Sequence, residues 1–251
     1  YITGDVYVDD GKSLTIGAGR TLKFGGCSLI VYGKLVADGD ASNHIVFTSN
    51  KSTPSAGDWK YIEFHGADSG SILDYCDISY GGSSYGNIYV YNTPSGNLTI
   101  SNCVVEHSAN SGIYVNDNSS PTISSCTVRN NTQNGIYVKD SSSPVVQNCT
   151  IQNNGSYGVY ANDSSCEPTI TGGSIKDNGS YAARLSANGI RKLSGVSITG
   201  NNPNAIEVIG AHITSDATWD HSIDYYYITG DVYVDDGKSL TIGAGRTLRF
   251  G

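Results

Sequence analysis

Methionine is absent from the 251 residues, tryptophan occurs twice, and charged side chains make up only 15%, well under the usual quarter or so. Basic residues are scarce. Fifteen Lys+Arg against 23 Asp+Glu give a net charge of −8, the wrong sign for a phosphate-binding surface, which argues against a nucleic-acid partner. No apolar run approaches the roughly 18 residues of a spanning helix, so no membrane insertion is expected. No stretch keeps a 3.6-residue apolar period long enough for a substantial helix. The chain begins at Tyr1, without methionine or a signal-peptide pattern, and reads as a mature or engineered fragment. What is abundant is Gly (31) and Tyr (18), together with Asn, Ser and Thr. Ile, Val, Leu and Tyr recur throughout, which argues against disorder. Low charge, turn residues and tyrosine suit a secreted, extracellular or cell-surface all-β protein.

Residues 1–25 read YITGDVYVDDGKSLTIGAGRTLKFG and residues 227–251 repeat them at 24 of 25 positions, with Arg249 in place of Lys23. Patterning alone tolerates far more drift, so the repeat reads as a duplicated unit of 226 residues, natural or engineered. The expected organisation is a module at 1–210, a lead-in to the next module at 211–226, and the start of a second copy at 227–251 stacked on the same solenoid.

A shorter period lies inside the unit. Asn110-Ser111-Gly112-Ile113-Tyr114-Val115, Gln133-Asn134-Gly135-Ile136-Tyr137-Val138 and Ser156-Tyr157-Gly158-Val159-Tyr160-Ala161 align at steps of 23. Each period holds about three short strands between Asn, Gly, Ser and Pro turns. Such a unit cannot bury its apolar face alone, but stacking makes the face continuous, each strand pairing with its equivalent one coil later. The fold expected is a single-stranded parallel β-helix of roughly 11 coils, about 23 residues each. The "P-x-I-x-x-C-x-V/I-x-N-N…G-I/V-Y" rhythm at 98–208 resembles right-handed parallel β-helix repeat proteins, the architecture shared with pectate lyases. The opening GDVYVDDGKSLTIGAGRTLKFGGCSLIVYGKLVADGD resembles the first coils of secreted surface β-helix proteins. The resemblance speaks for a right-handed fold and little for activity, because this architecture hosts lyases, hydrolases, esterases, adhesins and inert stalks.

The register sorts residues into columns. Val105, Val128, Ile151, Ile175 and Ile198 form an inward stack. Asn131, Asn154, Asn178 and Asn201 form a structural ladder of amides that hydrogen-bond along the column. Cys76, Cys103, Cys126 and Cys149 form another, read as buried thiols because stacked neighbours point the same way and suit packing better than disulfide torsions. Cys27 and Cys166 fall outside it and are the expected reactive or paired cysteines. Asp117, Asp140 and Asp163 recur before Ser- and Pro-rich corners. An Asx turn is the plainer reading and a calcium site the sharper one. No other cofactor or metal is expected.

Tyr89, Tyr114, Tyr137 and Tyr160 make an outward column that continues into Arg184 and Glu207. It reads either as a sheet-stabilising ladder or as a contact surface for carbohydrate or another rod. No lyase, polygalacturonase or esterase motif is present, and Arg184 with Glu207 supplies a single carboxylate beside a guanidinium where inverting hydrolysis needs two. The expected function is therefore a non-catalytic structural module of a tandem-repeat protein, a stiff stalk, sheath or fibre meeting copies of itself through its ends. A carbohydrate-binding or adhesive module on the tyrosine stripe is the first alternative. A polysaccharide lyase or hydrolase is the second.

Overall fold

The computed structural model describes residues 1–251. Every long strand pairs in parallel with its equivalent one coil later. The first sheet has eleven strands, from Val6–Val8 to Leu248–Phe250. The second and third have eight each, from Ser13–Gly17 to Leu193–Ser194 and from Thr21–Phe24 to Ser197–Thr199. The molecule is a right-handed parallel β-helix of about 11 turns with about 23 residues per turn. Alternation along each strand sets what faces inward. In the first sheet Ile113 pairs with Ile136 and Ile136 with Val159, all fully buried, while Tyr114, Tyr137 and Tyr160 beside them face out. One continuous apolar core of 52 buried residues runs from Val8 to Ile228.

The corners account for the abundance of asparagine. After the second sheet the chain turns on Asn102, Ser125 and Asn148, at φ of 52°, 53° and 53°. After the third it turns on His107, Asn130, Asn153 and Asp177, at 54° to 55°. These are left-handed conformations, which Asn, Asp and Gly adopt most readily. In each Asn-Asn pair the first residue makes the corner and the second turns inward. Asn131, Asn154, Asn178 and Asn201 are buried, and each Nδ2 donates to the next Oδ1 at 2.9, 3.0 and 2.9 Å. The same Oδ1 atoms accept the backbone N–H of the preceding Asn. The second Nδ2 hydrogen of each goes to a carbonyl one coil earlier. The ladder also explains the glycine ahead of each Ile-Tyr. A Cβ on Gly135 would lie 2.7 Å from the Gly158 carbonyl oxygen and 2.9 Å from Asn154 Nδ2, closer than atoms can pack.

The stack is interrupted once. The second and third sheets end at Leu193–Ser194 and Ser197–Thr199, and a short 3-10 helix, Gly189–Lys192, lies just before them. Beyond this seam those faces resume as two-stranded pairs, Ala211–Ile213 with Val232–Val234 and Ala217–Trp219 with Leu240–Ile242. The first sheet crosses the seam unbroken. Large buried side chains fill it: Trp219 and Tyr226 are packed with ring centroids 5.3 Å apart. His221 ties the two sides together, its Nε2 2.7 Å from the Leu193 carbonyl and its Nδ1 2.8 Å from the Tyr226 hydroxyl.

Residues 211–226, read above as a lead-in between modules, thus build two strands of the solenoid and begin the strand Tyr226–Ile228. The duplicated segment stacks on the same solenoid, but not in the same phase. Val6–Val8 lies in the eleven-stranded sheet, whereas its copy Val232–Val234 lies one face further on, and the eleven-stranded sheet receives Leu248–Phe250 instead. Within each copy the pairing is alike: Ile2 bridges Phe24 as Ile228 pairs with Phe250. Their surroundings differ. Phe24 is fully buried and Phe250 is 74% exposed.

Candidate functional site

Tyr89, Tyr114, Tyr137 and Tyr160 occupy successive strands of the first sheet in register. Their rings lie against one another. Tyr114 and Tyr137 stack at 4.6 Å and Tyr137 and Tyr160 at 5.1 Å, while Tyr89 meets Tyr114 edge-on at 5.5 Å. The column is thus a stacked ladder of rings. Stacking covers ring faces and leaves edges and hydroxyls outward, and Tyr89 is only 7% exposed. Burial pushes the Tyr89 hydroxyl up to about 12 and raises those of Tyr114 and Tyr137.

The structure adds flanking aromatics that the 23-residue column did not reveal. Tyr85 stacks on Tyr89 at 4.2 Å and touches Tyr61. On the other flank Tyr91 meets His65 at 4.6 Å, and His65 meets Tyr32 at 5.0 Å. Toward the seam, Tyr160 passes contact to Tyr157, Tyr157 to Tyr181, and Tyr181 to Tyr225 and Tyr227. A continuous aromatic array thus covers one face from Tyr32 to Tyr227. Within it Tyr32 and Tyr85 are the open rings, each 37% exposed. The flanks were legible as positions two after, or two to four before, each column residue.

Where the column passes into Arg184 and Glu207, the array holds a polar knot. Arg184 Nε donates to Glu207 Oε1 at 2.8 Å, and its NH1 donates to the carbonyls of Ala161 and Asn162 at 2.8 and 2.6 Å. The guanidinium lies over the Tyr160 ring at 5.0 Å. The Tyr157 hydroxyl donates to Glu207 Oε2 at 2.5 Å. Burial and this carboxylate together raise the Tyr157 hydroxyl well above its ordinary value. The Nε and NH1 donors of Arg184 are held by Glu207 and two backbone carbonyls, so the knot positions side chains.

A second feature was not foreseen. At the seam a cleft of about 430 Å³ opens, lined by Ser164, Glu167, Asn188, Gly210, Ala211, His212, Thr214, Asp231 and Tyr233. Its residues come from four successive coils, and only His212 and Tyr233 are paired in register, so the 23-residue columns do not reveal them. Asn188 Nδ2 donates to Glu167 Oε1 at 2.8 Å, and Lys192 pairs with Glu167 Oε2 at 2.7 Å. Burial opposes ionisation of Glu167, but Lys192 and Asn188 win and hold its carboxyl below the usual range. His212 Nδ1 lies 2.7 Å from Asp235 Oδ1, and its ring stacks on Tyr233 at 4.8 Å. The Tyr233 hydroxyl donates to Asp231, whose carboxylate makes no ion pair. An imidazole backed by a carboxylate can pass a proton through its other nitrogen, and Asp231 is a carboxylate free to accept one.

The cleft borders the array. Gly210 follows the strand Ile206–Ile209 that carries Glu207, three residues or about 10 Å along the chain. Asn188 and Asp231 likewise follow the strands Ala183–Ser186 and Tyr226–Ile228 of the same sheet.

The remaining candidates are placed as follows. Cys76, Cys103, Cys126 and Cys149 are buried free thiols, their Sγ atoms directed at backbone carbonyls. Cys27 and Cys166, expected to be reactive or paired, are likewise buried and free, enclosed by neighbouring coils. Asp117 and Asp140 make left-handed corners at φ of 53° and 50°. Asp163 closes an Asx turn, accepting Ser165 N–H at 2.9 Å, and the Ser165 hydroxyl and this N–H hold its carboxyl below the usual range. No three His, Cys, Asp or Glu side chains converge as they would around a metal ion.

Comparison with known proteins follows from this geometry. No curated protein matches the chain. Among solved structures it is similar to an alginate lyase from Paenibacillus sp. str. FPU-7, at 12% identity over 99% of this chain and 98% of that one, with a TM-score of 0.44. It is also similar to endopolygalacturonase I from Stereum purpureum, at 14% identity over 100% of this chain and 91% of that one, with a TM-score of 0.33. The expectation of a non-catalytic stalk, sheath or fibre is corrected here. Both similar structures bear the names of polysaccharide-degrading enzymes, and the structural reading is not carried further. The model of the right-handed β-helix region matches residues 40–218, and the chain belongs to that family.

Proposed function

We propose that the protein degrades a polysaccharide outside the cell, holding the glycan along the outer face of the eleven-stranded sheet and acting on it at the seam cleft. The observation that carries this reading is the junction of the two features, an aromatic array from Tyr32 to Tyr227 that ends beside a cleft holding Glu167, His212 and Asp231. Tyr32 and Tyr85 offer open ring faces to the apolar faces of sugars, and the stacked column between them offers hydroxyls. Hydrolysis fits the side chains better than elimination does, because Arg184, the cation set among the rings, is already ion-paired with Glu207 at 2.8 Å. Asp231 takes a proton from water as its oxygen attacks the anomeric carbon. His212, backed by Asp235, gives a proton to the departing glycosidic oxygen. Glu167, held ionised, orients the sugar through its hydroxyls.

The test is release of reducing ends from a panel of soluble polysaccharides. Activity on at least one substrate, lowered about a hundredfold or more in Asp231→Asn and in His212→Gln, is the expected result. Wild-type protein that releases nothing from any substrate across the pH range overturns the reading.

A further inference from the structure

We infer that the seam cleft accepts a neutral sugar residue and turns away a uronate, an inference that rests on the polysaccharide-degrading reading above. The polar lining of the cleft is rich in acceptors and anionic. Glu167 and Asp231 line it, and Asp235 stands behind His212. Ionised carboxylates accept hydrogen bonds and never donate them, so a ligand must bring O–H donors, as the ring hydroxyls of a neutral sugar do. A uronate would instead set its own carboxylate against these.

The nearby cations give no relief. Lys192 is paired with Glu167, Arg191 Nε is directed at Asn188 Oδ1, and His212 is paired with Asp235. On the adjoining face Arg184 is bound to Glu207 and Lys139 to Asp140. The cleft is also lined by the Tyr233 ring, half exposed and stacked with His212, a platform suited to the C–H face of an uncharged pyranose.

The experiment is calorimetric titration of the full chain at low salt with hexasaccharides of glucose, mannose, galactose and xylose, and with hexagalacturonate and hexamannuronate. At least one neutral series is expected to bind about tenfold or more tighter than either uronate. The gap narrows at ~0.5 M salt, where screening shortens the reach of charge. Asp231→Asn combined with Glu167→Gln raises uronate affinity. Uronates binding as tightly as the best neutral sugar overturns the inference and leaves the polysaccharide-degrading reading standing. No binding by any hexasaccharide overturns both.

Discussion

Replacing Asn154 by alanine removes one link from a buried run of amides, and the cost can be worked from the bonds it makes. Asn154 Oδ1 accepts two hydrogen bonds from Asn131, from the backbone N–H at 3.2 Å and from Nδ2 at 2.9 Å. Its Nδ2 donates to the Val128 carbonyl at 3.2 Å and to Asn178 Oδ1 at 3.0 Å. Alanine leaves the two Asn131 donors facing a small buried gap. Each orphaned donor costs about 1–3 kcal/mol, so Asn154→Ala is expected to lose roughly 2–6 kcal/mol. That is a large part of the ~5–15 kcal/mol that holds a typical domain. Asn154→Asp is no remedy, because it keeps the acceptor toward Asn131 but turns an oxygen toward the Asn178 and Val128 oxygens. Gln147, exposed on an outward position, is the control, and Gln147→Ala should stay within about 0.5 kcal/mol of the parent. Urea unfolding followed by circular dichroism measures all three. An Asn154→Ala midpoint indistinguishable from that of Gln147→Ala would refute the ladder as a source of stability.

Other consequences can be checked with equal economy. All six cysteines are buried and free, and burial raises the Cys103 thiol further from ionisation. A thiol reagent should therefore label none of the six in the folded protein and all six in strong denaturant; prompt labelling of Cys27 or Cys166 would show an open coil. Burial lowers the pKa of His221 below its ordinary 6.5, so the unfolded chain takes up this proton first. Stability is intact above about pH 6.5 and is lost as pH falls from there through the folded value, with Tyr226 losing its acceptor. The urea midpoint should drop between pH 7.5 and 5.5, and by less in His221→Gln; an equal drop in both would remove His221 from the account. Tyr85→Ala should weaken glycan binding about tenfold with little change in the unfolding midpoint, because this ring is exposed; unchanged affinity would place the glycan elsewhere.

Much of the fold could be read from the residues because a solenoid repeats its constraints. A 23-residue step put Val105, Asn131, Cys103 and Tyr114 into columns without any knowledge of the coordinates, and the Asn ladder exists as those columns imply. What escaped was whatever departs from the step. Ile136 pairs with Val159 at the regular spacing, but Ile206 pairs with Tyr226 only twenty residues on, and that shortened coil follows the seam. The helix Gly189–Lys192 has four residues, too few for any periodicity. Near-identity of 1–25 and 227–251 suggested equivalent positions, yet the coils between them are not of equal length, so the second copy sits one face out of phase. The tyrosines were legible in number and direction but not in contact, because stacking depends on ring rotation that a register does not specify. The cleft was illegible altogether, since Glu167, His212 and Asp231 come together only after the phase has slipped.

The central claim is that a glycan lies along the eleven-stranded sheet and enters the seam cleft. A crystal structure of the Asp231→Asn variant with a bound hexasaccharide tests it most directly. The account predicts sugar rings against Tyr32, Tyr85 or the Tyr114–Tyr160 column, with one residue of the chain between Glu167 and Tyr233. Saccharide lying on the second or third sheet, with the cleft filled by solvent alone, would contradict it.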